Sequence, residues 1–383
     1  MEVKIHRGLE QIGGCITEIS TATSRVFIDL GQNLPGNGEE QTPEQDKLMV
    51  ENLFNSNKKN NEAVFYTHGH EDHIGLFEYV PKDVPQFMSA GTKELILIKY
   101  RTLKEGNELN LEQIGKDDYS SKEPIEKTIN QNINIANKIE LISRLKTWSK
   151  TSPRKNPSSI TIGDITITPF FNCHSIYDSH MFLIEAEGKR IWHTGDYRAH
   201  GYMGKGLYPT LKKYATHIDT LITEGTMLNR HDECIHESKV ANKMANVMQA
   251  FKYIFVLASA TDIERLASIK NASIEAKKPM YVFSKFLVST MKLFTKLESE
   301  SSHGLFNFTP RLFKLNYLNR LRNRGFVLIT GTSQMSRIAE LLKGLPADET
   351  LLVYSTWDGY YKIPEQVLAN PKHKLFRELF SNV

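Results

Sequence analysis

Three cysteines in a chain of 383 residues are too few for a disulfide framework, and their positions form no CxxC pair of the kind that binds zinc. The chain also lacks a long apolar run, and its first residues, MEVKIHRGLEQIGG, contain no apolar stretch typical of signal peptides. Neither sign of charge dominates. The chain has 48 Lys and Arg residues and 44 Asp and Glu residues, which gives a net charge of +4. These absences predict a reducing, cytoplasmic location and no membrane partner. The small positive charge permits a polyanionic partner without requiring one.

The densest group of chemically active side chains lies in YTHGHEDHIG, residues 66–75, directly after a short apolar run. Alternate side chains of an extended segment point the same way, so His68 and His70 can bind one ion together. Asp72 and His73 lie beyond the predicted strand end, where the chain can bend toward a second ion. Imidazole and carboxylate ligands suit zinc or a similar divalent ion. A pair of such ions, about 3.5–4 Å apart, is used to hydrolyse phosphoesters and amides.

Two later strand ends offer the remaining ligands of such a site. The segment FFNCHSIYDS places His174 after a predicted strand, and IWHTGDYR places Asp196 after another strand and a glycine. A carboxylate can bridge two metal ions, because each oxygen can bind one of them. We therefore predict both residues as ligands. Three nearby histidines are weaker candidates because they lie on or beside predicted strands: His180, His193 and His200.

The two halves of the chain differ in their predicted secondary structure. The first half reads as strands, with a helical insertion over about residues 99–159, where apolar residues recur at a helical period. The second half alternates strands with helices, which favours a parallel sheet. Thr261 and Glu264 predict a capping box at the start of one helix. The loops at residues 259–261 and 331–334 follow strands and suit phosphate, although ordinary turn chemistry explains each loop equally well.

These motifs resemble the metallo-β-lactamase fold, whose HxHxDH motif is similar to THGHEDHIG and whose later His and Asp motifs are similar to NCHSIYDS and HTGDYR. Within that superfamily they resemble most the nuclease branch, the β-CASP and RNase J group. LITEGTML resembles the acidic motif that opens the β-CASP insert, and FVLASATDIERLASI resembles its strand-to-helix element. LITGTSQMSRIAELL resembles its Gly-Ser-Gln element, but Met335 and Ser336 replace the residues typical of RNase J.

The resemblance implies a fold and an order of domains. The fold is an α/β metallo-β-lactamase αββα sandwich with an inserted parallel β-CASP-like α/β domain. Residues 1–225 would form the metallo-β-lactamase domain and residues 226–350 the β-CASP-like domain. Residues 351–383 would begin the return to the metallo-β-lactamase domain, and we expect that return to be incomplete and the second metal to bind weakly.

The resemblance also implies roles for individual residues. His68, His70 and His174 would bind one metal ion, Asp72 and His73 a second, and Asp196 would bridge them. The catalytic carboxylates would be those of Asp72, Asp196 and Glu224. The ions would be two divalent ions, with zinc expected and manganese as an alternative. The predicted phosphate-binding residues follow strands of the second half: Ser259, Thr261, Arg265, Thr332, Ser333 and Gln334.

The predicted function is a metal-dependent phosphodiester hydrolase, a ribonuclease that uses a metal-bridged hydroxide on single-stranded RNA or DNA. A homodimer is compatible with the sequence. Two alternatives remain open, a small-molecule metallo-hydrolase of the same fold and a nucleic-acid-binding scaffold with impaired catalysis. The β-CASP-like half argues against the first alternative, and the full set of predicted ligands argues against the second.

Overall fold

The computed structural model describes residues 1–36, 41–114, 122–148, 158–229, 231, 233–298 and 304–380. Two compact units divide the chain, Met1–Arg198 with Gly206–Arg230, and Ala199–Lys205 with His231–Val383. The chain is of the mixed α/β class, as predicted. None of the helices in the described residues combines the length and hydrophobicity that a membrane span requires.

The first unit contains two mixed sheets and the helices that cover them. Its elements in chain order are β1 (Glu2–Arg7), β2 (Ile16–Ser20), β3 (Ser24–Ile28), α1 (Pro43–Asn55), β4 (Asn61–Phe65), α2 (Glu71–Ile74), β5 (Gln86–Met88), α3 (Ala90–Ile114), α4 (Lys122–Arg144), β6 (Lys146–Thr147), β7 (Ile160–Ile162), β8 (Ile165–Asn172), β9 (Ser179–Ala186), β10 (Lys189–His193), α5 (Leu207–Tyr214) and β11 (Thr220–Ile222). Helices α3 and α4 occupy most of the described part of the insertion predicted at 99–159, which also contains the short strand β6. Residues 115–121 and 149–157 of that insertion lie outside the described residues.

The two sheets of the first unit pack face to face. One has the order β1-β2-β3-β4-β5-β6 and the other the order β11-β10-β9-β8-β7. Their facing sides share one buried core, to which Phe65 contributes from the first sheet and Phe182 from the second. On the outer side of the first sheet, Val64 packs in a core with α1, α3 and α4. On the outer side of the second sheet, Trp192 packs with Leu207 of α5. The layers are therefore helix, sheet, sheet and helix.

Local sequence explains several of these boundaries. Thr42 caps α1 in a capping box with Gln45, and Pro43 occupies the first turn, where its missing N–H costs nothing. The segment HMFLIEAEGKRIWHTGD predicts a hairpin that turns at Gly188, and the antiparallel pair of β9 and β10 confirms it. It turns through Glu187 and Gly188, whose φ angles of 51° and 69° suit the tight turn between β9 and β10.

The second unit is built on a parallel sheet with the order β13-β14-β12-β15, which confirms the parallel sheet predicted for this half. Its elements in chain order are α6 (Glu237–Ala250), β12 (Tyr253–Ala258), α7 (Ile263–Glu275), β13 (Met280–Val282), α8 (Lys285–Glu298), α9 (Leu318–Leu321), β14 (Phe326–Thr330), α10 (Met335–Leu342), β15 (Thr350–Ser355), α11 (Gly359–Lys362), α12 (Pro364–Ala369) and α13 (Pro371–Glu378). Residues 351–380 belong to this unit, since β15 pairs with β12 along its length.

The predicted capping box at the start of α7 is wrong. Asp262 caps this helix by accepting a hydrogen bond from the backbone N–H of Arg265. Thr261 instead lies beside Ser259, with 2.9 Å between their hydroxyl oxygens. Glu264 is fully buried and accepts a hydrogen bond from the backbone N–H of Met203 at 2.7 Å. The backbone N–H of Met203 competes for the carboxylate, and the sequence pattern could not reveal it.

Candidate metal centre

The HxHxDH motif follows β4, which lies beside β3 in a parallel pair. Ile28 is the register partner of Phe65, so the residues after both strands emerge at the same edge of the sheet. The backbone of the segment after β3 then follows the motif helix α2. Leu30 N–H donates to the His73 carbonyl at 2.8 Å, and Cys15 N–H donates to the Asp72 carbonyl at 3.0 Å. These bonds fix the motif against two earlier loops.

The other sheet brings His174 and Asp196 to one edge. Strands β8 and β10 run in the same direction, because each pairs antiparallel with β9 between them. Asn172 fastens the two loops together by donating its side-chain amide to the carbonyl oxygens of Thr194 at 3.1 Å and Asp196 at 2.8 Å. The two predicted ligands therefore emerge side by side.

Three imidazoles meet with their ring nitrogens facing one point. His70 Nδ1 lies 3.0 Å from His68 Nε2 and 3.3 Å from His174 Nε2. One ring nitrogen has a single proton or a single lone pair, so it forms a good hydrogen bond with one of these neighbours and not with both. Two nitrogens bound to a tetrahedral zinc ion at 2.0–2.1 Å lie roughly 3.3 Å apart. The spacing of the three nitrogens therefore fits a shared metal ion.

The Asp196 carboxylate faces two different histidines. Its Oδ1 lies 3.5 Å from His73 Nε2, and its Oδ2 lies 3.6 Å from His174 Nε2. Asp72 completes this side, with Oδ2 at 3.8 Å from His73 Nε2. Among the described residues, two groups of ligand atoms lie within 4.8 Å of one another: His68 with His70 and His174, and His68 with His73 and Asp196.

Asp29, which the sequence analysis did not predict as part of the site, supports two of the histidines. Its carboxylate accepts the Thr67 hydroxyl and backbone N–H, both at 2.7 Å, and lies 2.7 Å from His73 Nδ1. Because the Thr67 hydroxyl donates to Asp29, its oxygen accepts the Nδ1–H of His68 at 3.0 Å. When both rings are neutral, as metal ligands are, each presents an unprotonated Nε2 to the centre of the cluster. Asp29 directly follows the apolar residues of VFIDLG, and that position was the signal that could have found it.

Burial and charge favour the metal-binding protonation states of His68, His174 and Asp196, but not that of His73. Burial, together with the neighbouring histidines, holds the pKa of His68 well below its usual value, and burial does the same for the pKa of His174. Burial would raise the pKa of the Asp196 carboxyl, but His73 and His174 hold it well below its usual range. Burial would also lower the pKa of His73, yet Asp29 and Asp196 raise it well above its usual value. A metal ion at His73 must therefore displace a proton.

The cluster is buried on one side and reachable on the other. His68 and His73 are inaccessible, whereas the side chains of Asp72, His174 and Asp196 keep 15%, 16% and 23% of their surface exposed. Such a site holds its ligands rigidly and still admits a substrate and water. The donor set of neutral nitrogens and carboxylates, with buried carboxylate support behind it, fits the divalent ions predicted from the sequence.

Glu224 contacts the loop that carries Asp196. Its Oε1 accepts the backbone N–H of Tyr197 at 2.9 Å, and its other oxygen accepts the Thr226 hydroxyl. Tyr197 is the neighbour of Asp196. These contacts fix the loop that presents the Asp196 carboxylate, so they support a positioning role for Glu224.

The three weaker histidine candidates lie outside both groups of ligand atoms. His180 is buried in β9 and packs edge-on against Trp148 at 5.1 Å between ring centroids. His193 ends β10 and accepts the backbone N–H of Gly195 through Nδ1 at 3.2 Å. His200 belongs to the second unit, where its Nδ1 lies 3.2 Å from Cys234 Sγ.

The predicted phosphate-binding residues are divided by their contacts. Five of them follow β12 and β14, which are neighbouring parallel strands, so both loops lie at the carboxyl edge of this sheet: Ser259, Thr261, Thr332, Ser333 and Gln334. Arg265 is engaged elsewhere. Its Nε and Nη2 donate to both oxygens of the buried Glu237 at 3.1 and 2.8 Å, and its Nη1 donates to Ser355 Oγ at 2.6 Å.

Comparison with known proteins gives distant relatives. No family model matches the chain. It is 26% identical over 227 residues to an RNase J-like protein of Methanocaldococcus jannaschii. The aligned region covers 58% of this chain and 42% of that protein. It is 27% identical over 194 residues to Ribonuclease J of Helicobacter pylori strain 26695. That aligned region covers 50% of this chain and 22% of the relative. The chain thus matches less than half the length of either relative.

A solved structure shares the fold over nearly the whole chain. It is a protein of unknown function from Enterococcus faecalis V583, with a TM-score of 0.62 and 16% identity, covering 93% of this chain and 88% of that chain. At this identity the match speaks for the fold alone. The two curated relatives confirm the predicted resemblance to RNase J proteins.

Proposed function

We propose that this chain is a metal-dependent phosphodiester hydrolase, a nuclease that acts on single-stranded RNA or DNA. We assign its first unit to the metallo-β-lactamase αββα sandwich and its second unit to the β-CASP-like domain. The observation that carries the proposal is the Asp196 carboxylate, whose two oxygens face His73 and His174 separately. The similarity to RNase J proteins supports phosphodiesters as the substrate class.

Six side chains of the cluster would hold two divalent ions, with zinc as the first choice and manganese as the second. His68, His70 and His174 would hold one ion, Asp72 and His73 the other, and Asp196 both. When bound, such ions lower the pKa of a water molecule so that it can attack phosphorus near neutral pH, and they stabilise the charge that develops on the phosphate.

The chain's own residues prepare the site in three ways. Asp29 and Thr67 fix the ring orientation and tautomer of His73 and His68, so that each Nε2 points inward. Asn172 and Glu224 hold the Asp196 loop in place. The hydroxyl groups of the residues that follow β12 and β14 are proposed to bind substrate phosphates. That the chain forms a homodimer stays a prediction.

The test is cleavage of end-labelled single-stranded RNA and DNA by the purified full chain. We expect cleavage by the wild-type chain, together with bound zinc, manganese or iron in elemental analysis. His70→Ala and Asp196→Ala should abolish cleavage without unfolding the chain, since both side chains are partly exposed. His231→Ala and Asp83→Asn are matched controls, because both residues are exposed and outside the cluster.

Three results would contradict the proposal in different ways. Turnover of esters or lactones without cleavage of either nucleic acid would favour a small-molecule hydrolase of the same fold. Nucleic-acid binding by a chain that holds no metal would favour a scaffold. Cleavage that persists in both cluster variants would place the active site elsewhere.

A further inference from the structure

The second unit contains a pocket of about 510 Å³ that none of the predicted site residues lines. Its wall combines three cations with two tyrosines and two leucines: Arg311, Lys314, Arg320, Tyr281, Tyr317, Leu312 and Leu321. No Asp or Glu among the described residues lines it. A pocket of this size with such a wall can hold one aromatic ring system together with an anionic group.

The pocket is held in place by the edge of the parallel sheet. Tyr281 lies in β13, the outermost strand on this side. The segment that carries Arg311 pairs with this strand, since Val282 N–H donates to the Arg311 carbonyl at 2.9 Å and Phe313 N–H donates to the Val282 carbonyl at 2.8 Å. The buried ring of Phe313 packs against both tyrosines, with centroids at 5.6 Å from Tyr281 and 6.5 Å from Tyr317, and the two tyrosine rings lie 6.0 Å apart. The tyrosines are therefore anchored before any ligand arrives.

The charge of the pocket is uncompensated within the described residues. Arg311, Lys314 and Arg320 form no ion pair with any carboxylate there, and all three side chains are exposed. They belong to the segment RLFKLNYLNRLRNR, residues 311–324, which contains no acidic residue and five basic ones: Arg311, Lys314, Arg320, Arg322 and Arg324. For a chain with a net charge of only +4, this is a strong local concentration of positive charge.

The aromatic part of the wall is open to stacking. Tyr281 and Tyr317 are each partly exposed, and neither hydroxyl has a hydrogen-bond partner among the described residues. The Arg320 guanidinium lies over the Tyr317 ring, with Cζ 4.8 Å from the centroid. Nucleobases stack on both aromatic rings and guanidinium planes.

We propose that this pocket binds one nucleotide of single-stranded nucleic acid. The base would stack on the aromatic and guanidinium surface of Tyr281, Tyr317 and Arg320. The adjoining phosphates would pair with Arg311 and Lys314. The inference rests on the proposed function, because the substrate of a nuclease supplies the strand. It adds a binding site formed entirely by residues of the second unit that are outside the metal cluster.

The tyrosines distinguish this ligand from an acidic peptide. A peptide of Asp and Glu residues would use the three cations and would gain nothing specific from two exposed rings. A nucleotide uses both parts of the wall, because its phosphate and its base require different partners. Separate variants can therefore remove the positive charges and the tyrosine rings of the pocket.

The experiment measures binding of a short, fluorescently labelled single-stranded oligonucleotide to the wild-type full chain at several salt concentrations. Phosphorothioate linkages in the oligonucleotide slow its hydrolysis, so binding is separated from turnover. Arg311→Gln and Lys314→Gln should weaken binding and reduce the slope of log K against log salt by about 0.7 for each phosphate contact removed. Arg324→Gln is the matched control, since it removes the same charge from the same segment without touching the pocket.

The ring variants test the stacking. Tyr317→Leu and Tyr281→Leu should weaken binding by roughly 5- to 150-fold, and Tyr317→Phe should bind nearly as the wild-type chain does, because it keeps the ring. A polyglutamate peptide serves as the alternative ligand. We expect it to bind more weakly than the oligonucleotide and to be insensitive to the tyrosine changes.

Three outcomes would overturn the inference. Equal losses of oligonucleotide affinity in Arg324→Gln and Arg311→Gln would mean that the positive charge of the segment binds the strand without the pocket. Unchanged binding in both leucine variants would remove the stacked base. Polyglutamate binding as tight as oligonucleotide binding would indicate an acidic protein partner. Failure of the proposed function would instead appear as an absence of cleavage by the wild-type chain, whatever the pocket variants do.

Discussion

His73 Nδ1 lies 2.7 Å from Asp29 Oδ2, and both side chains are buried. The pair is separated by 44 positions in the chain, yet it decides which ring nitrogen of His73 faces the metal cluster. A carboxylate behind a histidine ligand fixes its tautomer and makes its other nitrogen a better donor. Asp29 is therefore as much a part of the candidate site as the residues of the motif.

Asp29→Asn should weaken metal binding while keeping the fold. Asp29 has a φ of 62°, a conformation that asparagine tolerates well among residues with a side chain. The change removes the charge that supports His73, and losses of this kind are roughly 10- to 100-fold in metal affinity. The measurement is metal affinity by competition with a chelator. An affinity equal to that of the wild-type chain would contradict the supporting role.

Gly31→Ala should displace the motif helix. A Cβ at Gly31 would lie 1.7 Å from the carbonyl oxygen of Asp72, so one of the two backbones must move. We expect a loss of about 1–3 kcal/mol in the free energy of unfolding and a lower metal content. Gly106→Ala is the control, because nothing lies within 4 Å of its new Cβ in the middle of α3. Normal metal content in Gly31→Ala would show that the motif tolerates the shift.

The metal-free chain should lose stability as the pH falls, in part through His193. Burial lowers the pKa of this histidine from 6.5 to about 4. Between these values the unfolded chain binds the proton and the folded chain does not, so the stabilising contribution is complete above pH 6.5 and declines toward pH 4. It amounts to about 3 kcal/mol.

The control for that pH dependence is His193→Asn. Its side-chain oxygen can still accept the Gly195 N–H that His193 Nδ1 accepts, but it does not titrate. Chemical denaturation of both chelated proteins across this pH range should give a shallower dependence for the variant. Identical curves would show that the pKa of His193 is close to its ordinary value.

Arg265→Met should destabilise the second unit. It would leave Glu237 buried without its cationic partner, and breaking a buried pair costs roughly 3–5 kcal/mol, with the lower end expected because Arg265 is partly exposed. Adding Glu237→Gln should restore much of the loss, since the glutamine oxygen can still accept the Ser268 hydroxyl. Denaturation midpoints of the single and double variants measure this coupling.

The double variant also tests the phosphate-binding role predicted for Arg265. Once stability is restored, weaker binding of an oligonucleotide would support a phosphate contact by this side chain. Unchanged binding would contradict that prediction and leave the residue a purely stabilising role.

The sequence by itself determined the features that depend on neighbours in the chain. The HxHxDH motif, the hairpin at Gly188 and the strand-helix alternation of the second half are local patterns, because side-chain periodicity and turn chemistry act over a few residues. The order of the later motifs, together with the resemblance, was enough to name His174 and Asp196. Both residues follow strands, and the sequence pattern predicts where those strands end.

Tertiary structure alone decided which side chains meet. Asp29 reaches His73 because β3 and β4 pair in parallel with a particular register. Glu264 leaves its predicted cap because its carboxylate accepts the Met203 N–H, and Arg265 is engaged because Glu237 is buried beside it. Tyr281 and Tyr317 line one pocket because the segment before Tyr317 pairs with the edge strand that carries Tyr281. Each of these pairings satisfies a buried charge, a backbone group or a sheet edge, and its partner is distant in sequence, so no local pattern records it.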